Sequence, residues 1–185
     1  MEKRLLTLVS SSNLLRIFQT QVRMTTSFTD NPTWIQRMKM RFDLLDADNN
    51  GILGNADIAL VAKNIATYRN EGPDAEKYYF KIMQSITLAD EQGVTEKEFI
   101  EQAKKFVSQP DAKEHVKKLA DMVFEVVDAN KDGVISYEEY SQVYKAFNAS
   151  QEMIDAYFKA ADSNGDGFID PSETRESYLK YFFSA

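Results

Sequence analysis

The chain has 185 residues, room for one domain or two small ones, and its 43% hydrophobic content is enough for a packed core. It carries 29 Asp and Glu against 22 Lys and Arg, a net charge of −7, which argues against nucleic-acid binding, where phosphate neutralisation needs a basic excess. Cysteine is absent and His115 is the one histidine, so disulfides, thiolate metal sites and His-rich zinc centres are excluded.

The acidity is uneven along the chain. Residues 1–29 hold Lys3, Arg4, Arg16 and Arg23 against Glu2 alone, a net +3, which leaves −10 for residues 30–185. A basic leader rich in Ser, Thr and Leu, with no acid from Lys3 to Thr29, has the composition of a mitochondrial transit segment. The other readings are a passive basic arm or a first helix laid on the core, and Met24 offers an internal start. The apolar run Leu5–Val9 is far short of the ~18 residues of a membrane span, so no stable membrane insertion is expected.

After the leader, apolar periodicity and Gly/Pro punctuation predict helices over Trp34–Leu45, Asp57–Arg69, Asp74–Ile86, Glu96–Val107, Lys113–Val127, Tyr137–Phe147, Gln151–Ala161 and Pro171–Phe183. Three connecting segments, 46–57, 128–139 and 162–173, align without gaps as D-x-[DN]-x-[DN]-G-x-[IL]-x-x-x-[DE]. This is the EF-hand calcium-loop pattern. Calcium is a hard cation that takes six to eight oxygens at roughly 2.3–2.6 Å, supplied by side chains at loop positions 1, 3 and 5, the backbone carbonyl of position 7 and an acid at position 12. The glycine at position 6 permits the sharp turn.

The candidate metal ligands are therefore Asp46, Asp48, Asn50, Ile52 (carbonyl) and Asp57 in the first loop. In the next loop they are Asp128, Asn130, Asp132, Val134 (carbonyl) and Glu139. The last loop adds Asp162, Asn164, Asp166, Phe168 (carbonyl), Asp170 and Glu173. Three calcium sites are expected. Asp57 is one methylene shorter than Glu and reaches an ion less easily with both oxygens, so the loop at 46–57 leans toward octahedral magnesium or weaker calcium binding.

EF-hands pair, so a fourth loop is expected between the first two, and Thr87–Glu98 fits best. It keeps Val94 at position 8 and Glu98 at position 12, but Thr87, Ala89 and Gln92 stand at positions 1, 3 and 6, so no calcium is expected there. The fold class read from this pattern is all-α: four EF-hands in two pairs packed into one compact globule, with short two-stranded bridges between paired loops. Residues 1–29 form the extension, 30–108 the first pair and 109–185 the second, joined near Ser108-Gln109-Pro110-Asp111. Trp34, Phe42, Tyr78, Tyr79, Phe80, Phe99, Phe106, Phe124 and Phe158 are expected in the core, and His115 on the surface.

With a first loop closed by Asp57, a degenerate second loop and two intact C-terminal loops, the chain resembles invertebrate sarcoplasmic calcium-binding proteins over roughly residues 32–184. The likeness is clearest in Trp34-Ile35-Gln36-Arg37-Met38-Lys39 and Phe124-Glu125-Val126-Val127-Asp128. Two features lie outside that pattern: the N-terminal extension, and the ending at Phe182-Phe183-Ser184-Ala185, where many members continue into a tail that folds back. The resemblance implies a monomeric, cytoplasmic calcium and magnesium buffer that is not an enzyme, or a mitochondrial one if residues 1–29 act as a transit peptide. The seven methionines do not cluster at the ends of the exiting helices, which favours a buffer over a sensor with a Met-rich groove. The same layout is shared with calcium-triggered photoproteins, whose several His, Trp and Tyr residues one His and one Trp cannot supply, and with luciferin-binding proteins, which need mainly an apolar cavity. A protein target also stays open, because Glu139-Tyr140-Ser141-Gln142-Val143-Tyr144 is similar to the calexcitins.

Overall fold

In the computed structural model, which describes residues 27–87 and 92–184, the first long helix starts two residues ahead of its apolar stripe. The leader, for which a targeting role is expected, lies outside the described residues apart from its last three. A single 3-10 turn, Phe28–Asp30, leads to Asn31, whose side chain accepts the Thr33 amide and so caps α1 (Pro32–Leu45). Pro32 then occupies the first helical turn, where its missing N–H leaves nothing unsatisfied. Trp34, Met38, Phe42 and Leu45 recur at helical spacing and are all buried.

Seven further helices follow among the described residues: α2 (Asn55–Tyr68), α3 (Pro73–Ile86), α4 (Glu96–Val107), α5 (Ala112–Val127), α6 (Tyr137–Ala146), α7 (Gln151–Ala161) and α8 (Pro171–Phe183). Each differs from the sequence expectation by two residues or fewer. The shift at α2 arises because Gly54 takes extended backbone at the cap and Asp57 falls at the third helical position rather than the first. Two short antiparallel bridges form: β1 (Ile52–Leu53) with β2 (Val94–Thr95), and β3 (Ile135–Ser136) with β4 (Phe168–Ile169). Leu53 pairs with Val94 and Ile135 with Ile169, and all four side chains are buried. The position-8 aliphatics thus carry each bridge into the core.

The core is shared between the two pairs. Ile58, Val61 and Ile65 of α2 pack in one cluster with Phe124 and Val127 of α5 and with Val143, Ile154 and Phe158 of α6 and α7. Three hydrogen bonds reinforce this contact: Asn64 Nδ2 donates to Ala146 O (3.1 Å), Asn148 Nδ2 to Ala47 O (3.2 Å) and Arg69 Nη2 to Val127 O (3.0 Å). A second cluster joins Trp34 and Met38 to Ile100, Ala103, Val116 and Phe182.

The two ends of the described chain meet there. Trp34 Nε1 donates to Phe182 O at 2.8 Å, and Arg37 Nη1 donates to Tyr181 O and Ser184 O at 2.8 and 3.0 Å. The last turn of α8 therefore closes the core at this end. One aromatic expected inside is not: Tyr78 is 52% exposed, because it occupies the outward side of α3 while Tyr79 and Met83 take the inward one.

Trp34→Phe keeps most of the ring volume but strands the Phe182 carbonyl inside the core. It is expected to lower unfolding stability by about 1–3 kcal/mol in urea denaturation, against about 3–5 kcal/mol for Trp34→Ala.

Candidate metal centres

Each of the three loops begins where an entering helix ends. Asp46, Asp128 and Asp162 donate their own amides to Phe42, Phe124 and Phe158, which closes the last turn and aims the chain into the loop. Their carboxylates then gather amides from across the loop. Asp46 Oδ2 accepts Gly51 N at 2.9 Å, Asp128 Oδ2 accepts Gly133 N at 3.1 Å and Asp162 Oδ2 accepts Gly167 N at 3.0 Å. The three glycines stand at φ +83, +90 and +88°, a left-handed conformation that side-chain-bearing residues rarely adopt. Positions 3 and 5 pair alike: Asp48 Oδ1 accepts Asn50 N, Asn130 Oδ1 accepts Asp132 N and Asn164 Oδ1 accepts Asp166 N, at 2.8 to 3.0 Å. The position-7 residues Ile52 and Phe168 expose 48% and 46% of their area, as expected of residues wanted for a backbone carbonyl rather than a side chain.

The closing acid is the most heavily engaged group. Glu139 Oε1 accepts Ala129 N and Asn130 N at 3.0 and 3.2 Å, while Oε2 accepts Ser136 N and Oγ at 2.9 and 2.8 Å. Glu173 repeats the arrangement, with Ser163 N and Asn164 N on Oε1 and Asp170 N on Oε2. Burial raises the Glu173 carboxyl pKa, but the hydrogen bonds from Asp170, Ser163 and Asn164 together outweigh it and hold the group below its ordinary value. Asp57, one methylene shorter, accepts Asp48 N at 3.2 Å and Gly54 N at 2.8 Å. Asp170 also serves the protein itself, since its Oδ1 accepts Glu173 N at 2.8 Å and caps α8.

Two observations test whether a cation fits. Oxygens of Asp46, Asp48 and Asp57 lie within 4.8 Å of one another, a gathering of three acids not repeated among the described residues. Like charges at that spacing repel, and a divalent ion neutralises them. In the loop at 128, Asp128 Oδ1 is buried without a hydrogen-bond partner. An unpaired buried carboxylate oxygen is costly, and a hard cation is the partner its chemistry accepts. The sequence ranks the loop at 46–57 as the poorest calcium site, yet it is the one whose acids draw closest together. No signal in the sequence marks the orphaned Asp128 oxygen.

The fourth loop keeps the scaffold. Ala89 lies outside the described residues. Thr95 and Glu98 form a reciprocal cap on α4: Glu98 Oε2 accepts Thr95 N at 2.9 Å, and Thr95 Oγ1 accepts Glu98 N at 3.4 Å. Gly93, one place beyond the usual glycine position, has φ +78°, and a Cβ there would meet Ile52 Cγ2 at 2.6 Å. Here the glycine serves the close approach of β1 as well as the turn.

A family model for the EF hand matches residues 119–144 and 154–176. The sarcoplasmic calcium-binding protein of Perinereis vancaurica tetradentata is 30% identical over 129 residues, covering 65% of this chain and 72% of that one. The coelenterazine-binding protein of Renilla muelleri, in its calcium-loaded apo form, shares the fold at a TM-score of 0.72 with 19% identity, over 86% of this chain and 92% of that one. The ctenophore photoprotein berovin, whose three calcium-binding loops bind magnesium, gives 0.60 at 18% identity over 80% and 87%. No helix among the described residues is long and apolar enough to cross a membrane.

Asp128→Asn removes one of the three negative charges that the loop at 128–139 carries at ligand positions. It is expected to raise the urea midpoint without calcium and to lower it in saturating calcium, a sign reversal that denaturation in chelator and in calcium reads directly.

Proposed function

Because the chain belongs to the EF-hand family of calcium-binding proteins, with a sarcoplasmic calcium-binding protein among its relatives, we propose that it is a cytoplasmic calcium and magnesium buffer with three ion sites. The ligands are Asp46, Asp48, Asn50, Asp57 and the Ile52 carbonyl; Asp128, Asn130, Asp132, Glu139 and the Val134 carbonyl; and Asp162, Asn164, Asp166, Asp170, Glu173 and the Phe168 carbonyl. It acts by binding rather than by catalysis, and the loop at 87–98 takes no ion.

The observation that carries the buffer reading is the union of the two pairs. A sensor must separate its helices to expose a groove. In this chain α2, α5, α6 and α7 bury their apolar faces in one cluster, and Asn64, Arg69 and Asn148 bond across the pairs. Opening would break those bonds and hydrate that cluster. Met38 and Met83, the buried methionines among the described residues, lie within the core rather than along a groove. A luciferin-binding role draws support from the fold shared with the coelenterazine-binding protein, and visible absorbance from a copurifying ligand would favour it.

Calorimetric titration is expected to count three calcium ions per chain, with millimolar magnesium weakening the site at 46–57 most. Asp57→Glu lengthens the closing acid and is expected to raise calcium affinity there and relieve the magnesium effect. Fewer than two calcium ions per chain, or a large calcium-dependent rise in binding of an apolar-surface dye, contradicts the buffer reading.

A further inference from the structure

A cavity of about 320 Å³ opens between α1, α6, α7 and α8, within the roughly 300–1,000 Å³ of small-molecule sites. Its charge is the reverse of the body around it. Arg37, Arg41 and Lys180 line it and no Asp or Glu does, whereas residues 30–185 as a whole carry −10. Arg41 is half-buried and has no carboxylate in ion-pair range among the described residues. Its guanidinium instead lies 5.9 and 5.3 Å from the ring centres of Tyr181 and Phe182. It also bonds the Tyr178 hydroxyl, but a partly desolvated cation with one phenol and two ring faces around it leaves most of its five N–H donors unused.

The remaining wall is aromatic. Tyr140 and Tyr144 stack 4.2 Å apart, and Tyr157 stands edge-on to Tyr144 at 6.2 Å. The Tyr157 hydroxyl makes no hydrogen bond to the described protein. Burial pushes the Tyr181 phenol up to about 12 although Arg41 and Arg37 pull the other way, and burial raises Tyr144 and Tyr178 as well. All three stay protonated at neutral pH; Tyr181 already donates its hydroxyl to Arg37 O at 3.0 Å, which leaves Tyr144 and Tyr178 as the donors. The cavity thus combines flat aromatic faces, phenolic donors and uncompensated positive charge.

We propose that this cavity binds an aromatic organic anion, a carboxylate or sulfonate carried on a flat ring system, with the anionic group on Arg41 and Lys180 and the ring among the tyrosines.

Calorimetric titration of the calcium-saturated full chain with naphthalene-2-sulfonate, naphthalene-2-carboxylate and neutral naphthalene-2-methanol tests this. Both anions are expected to bind one per chain, about tenfold or more tighter than the alcohol, and to weaken as salt is raised. Arg41→Met is expected to remove the preference for the anions while circular dichroism and the calcium count stay unchanged. Lys180→Met, at an exposed side chain outside the core, is expected to weaken the anions about threefold or more and leave the alcohol alone. If Arg41→Met fails to fold, the Lys180 variant decides. No binding of either anion, an alcohol that binds as tightly as they do, or a preference unchanged in the folded variants overturns the proposal.

Discussion

The acid that closes each loop is the group on which the rest of the structure turns. Glu139 and Glu173 sit at the third position of the helix that leaves the loop, accept the amide at that helix's cap, and reach back to the amides at loop positions 2 and 3. One carboxylate thereby starts a helix and ties the two ends of the loop together, and it is also a ligand in the proposed ion sites. Glu98 isolates the first of these duties: in a loop without the ligand set it still accepts the Thr95 amide and hydroxyl. Asp57 shows what a shorter side chain changes. It keeps the tie to Asp48 and the bond to Gly54, but Gly54 has no side chain with which to return a bond, so this helix start is capped from one side only.

Paired loops hand this local order to the core. Each bridge aligns two position-8 aliphatics, Leu53 with Val94 and Ile135 with Ile169, and buries them completely. The pairs are in turn fastened to each other at loop level. Asn148, in the connection between α6 and α7, donates to the carbonyl of Ala47 inside the first loop, and Arg69 at the end of α2 donates to Val127, the residue just before the loop at 128. A shift in either loop is felt by the other pair, since packed cores and their cross-links deform little before they break.

Much of this was legible in the sequence because the loops are punctuated by chemistry that has few substitutes. Asp at position 1 and Gly at position 6 fix the register, and the register fixes where helices stop and start. What escaped reading depends on contacts distant in the chain. The Trp34 bond to Phe182 spans 148 residues and closes the core with the last turn of α8. The demand for glycine at position 93 comes from Ile52 across the bridge as well as from the turn of its own loop. Tyr78 and Tyr79 are neighbours of the same type, and only the packing of α3 decides which one faces water. The basic cavity likewise assembles Arg37 and Arg41 with Lys180 and four helices' worth of tyrosine and aliphatic wall, while the sequence shows only a body of net charge −10.

The central claim is that three loops, and not the fourth, take calcium through the same ring of oxygens. The amides of Gly51, Gly133 and Gly167 report on it, because each donates to the first aspartate of its loop. An ion held by that aspartate polarises the bond, so nuclear magnetic resonance of nitrogen-15-labelled protein should show these three amide protons moving downfield during a calcium titration, with Gly93 left out of that shift. Calcium binding that leaves Gly133 and Gly167 in place, or that moves Gly93 downfield with them, would contradict the account.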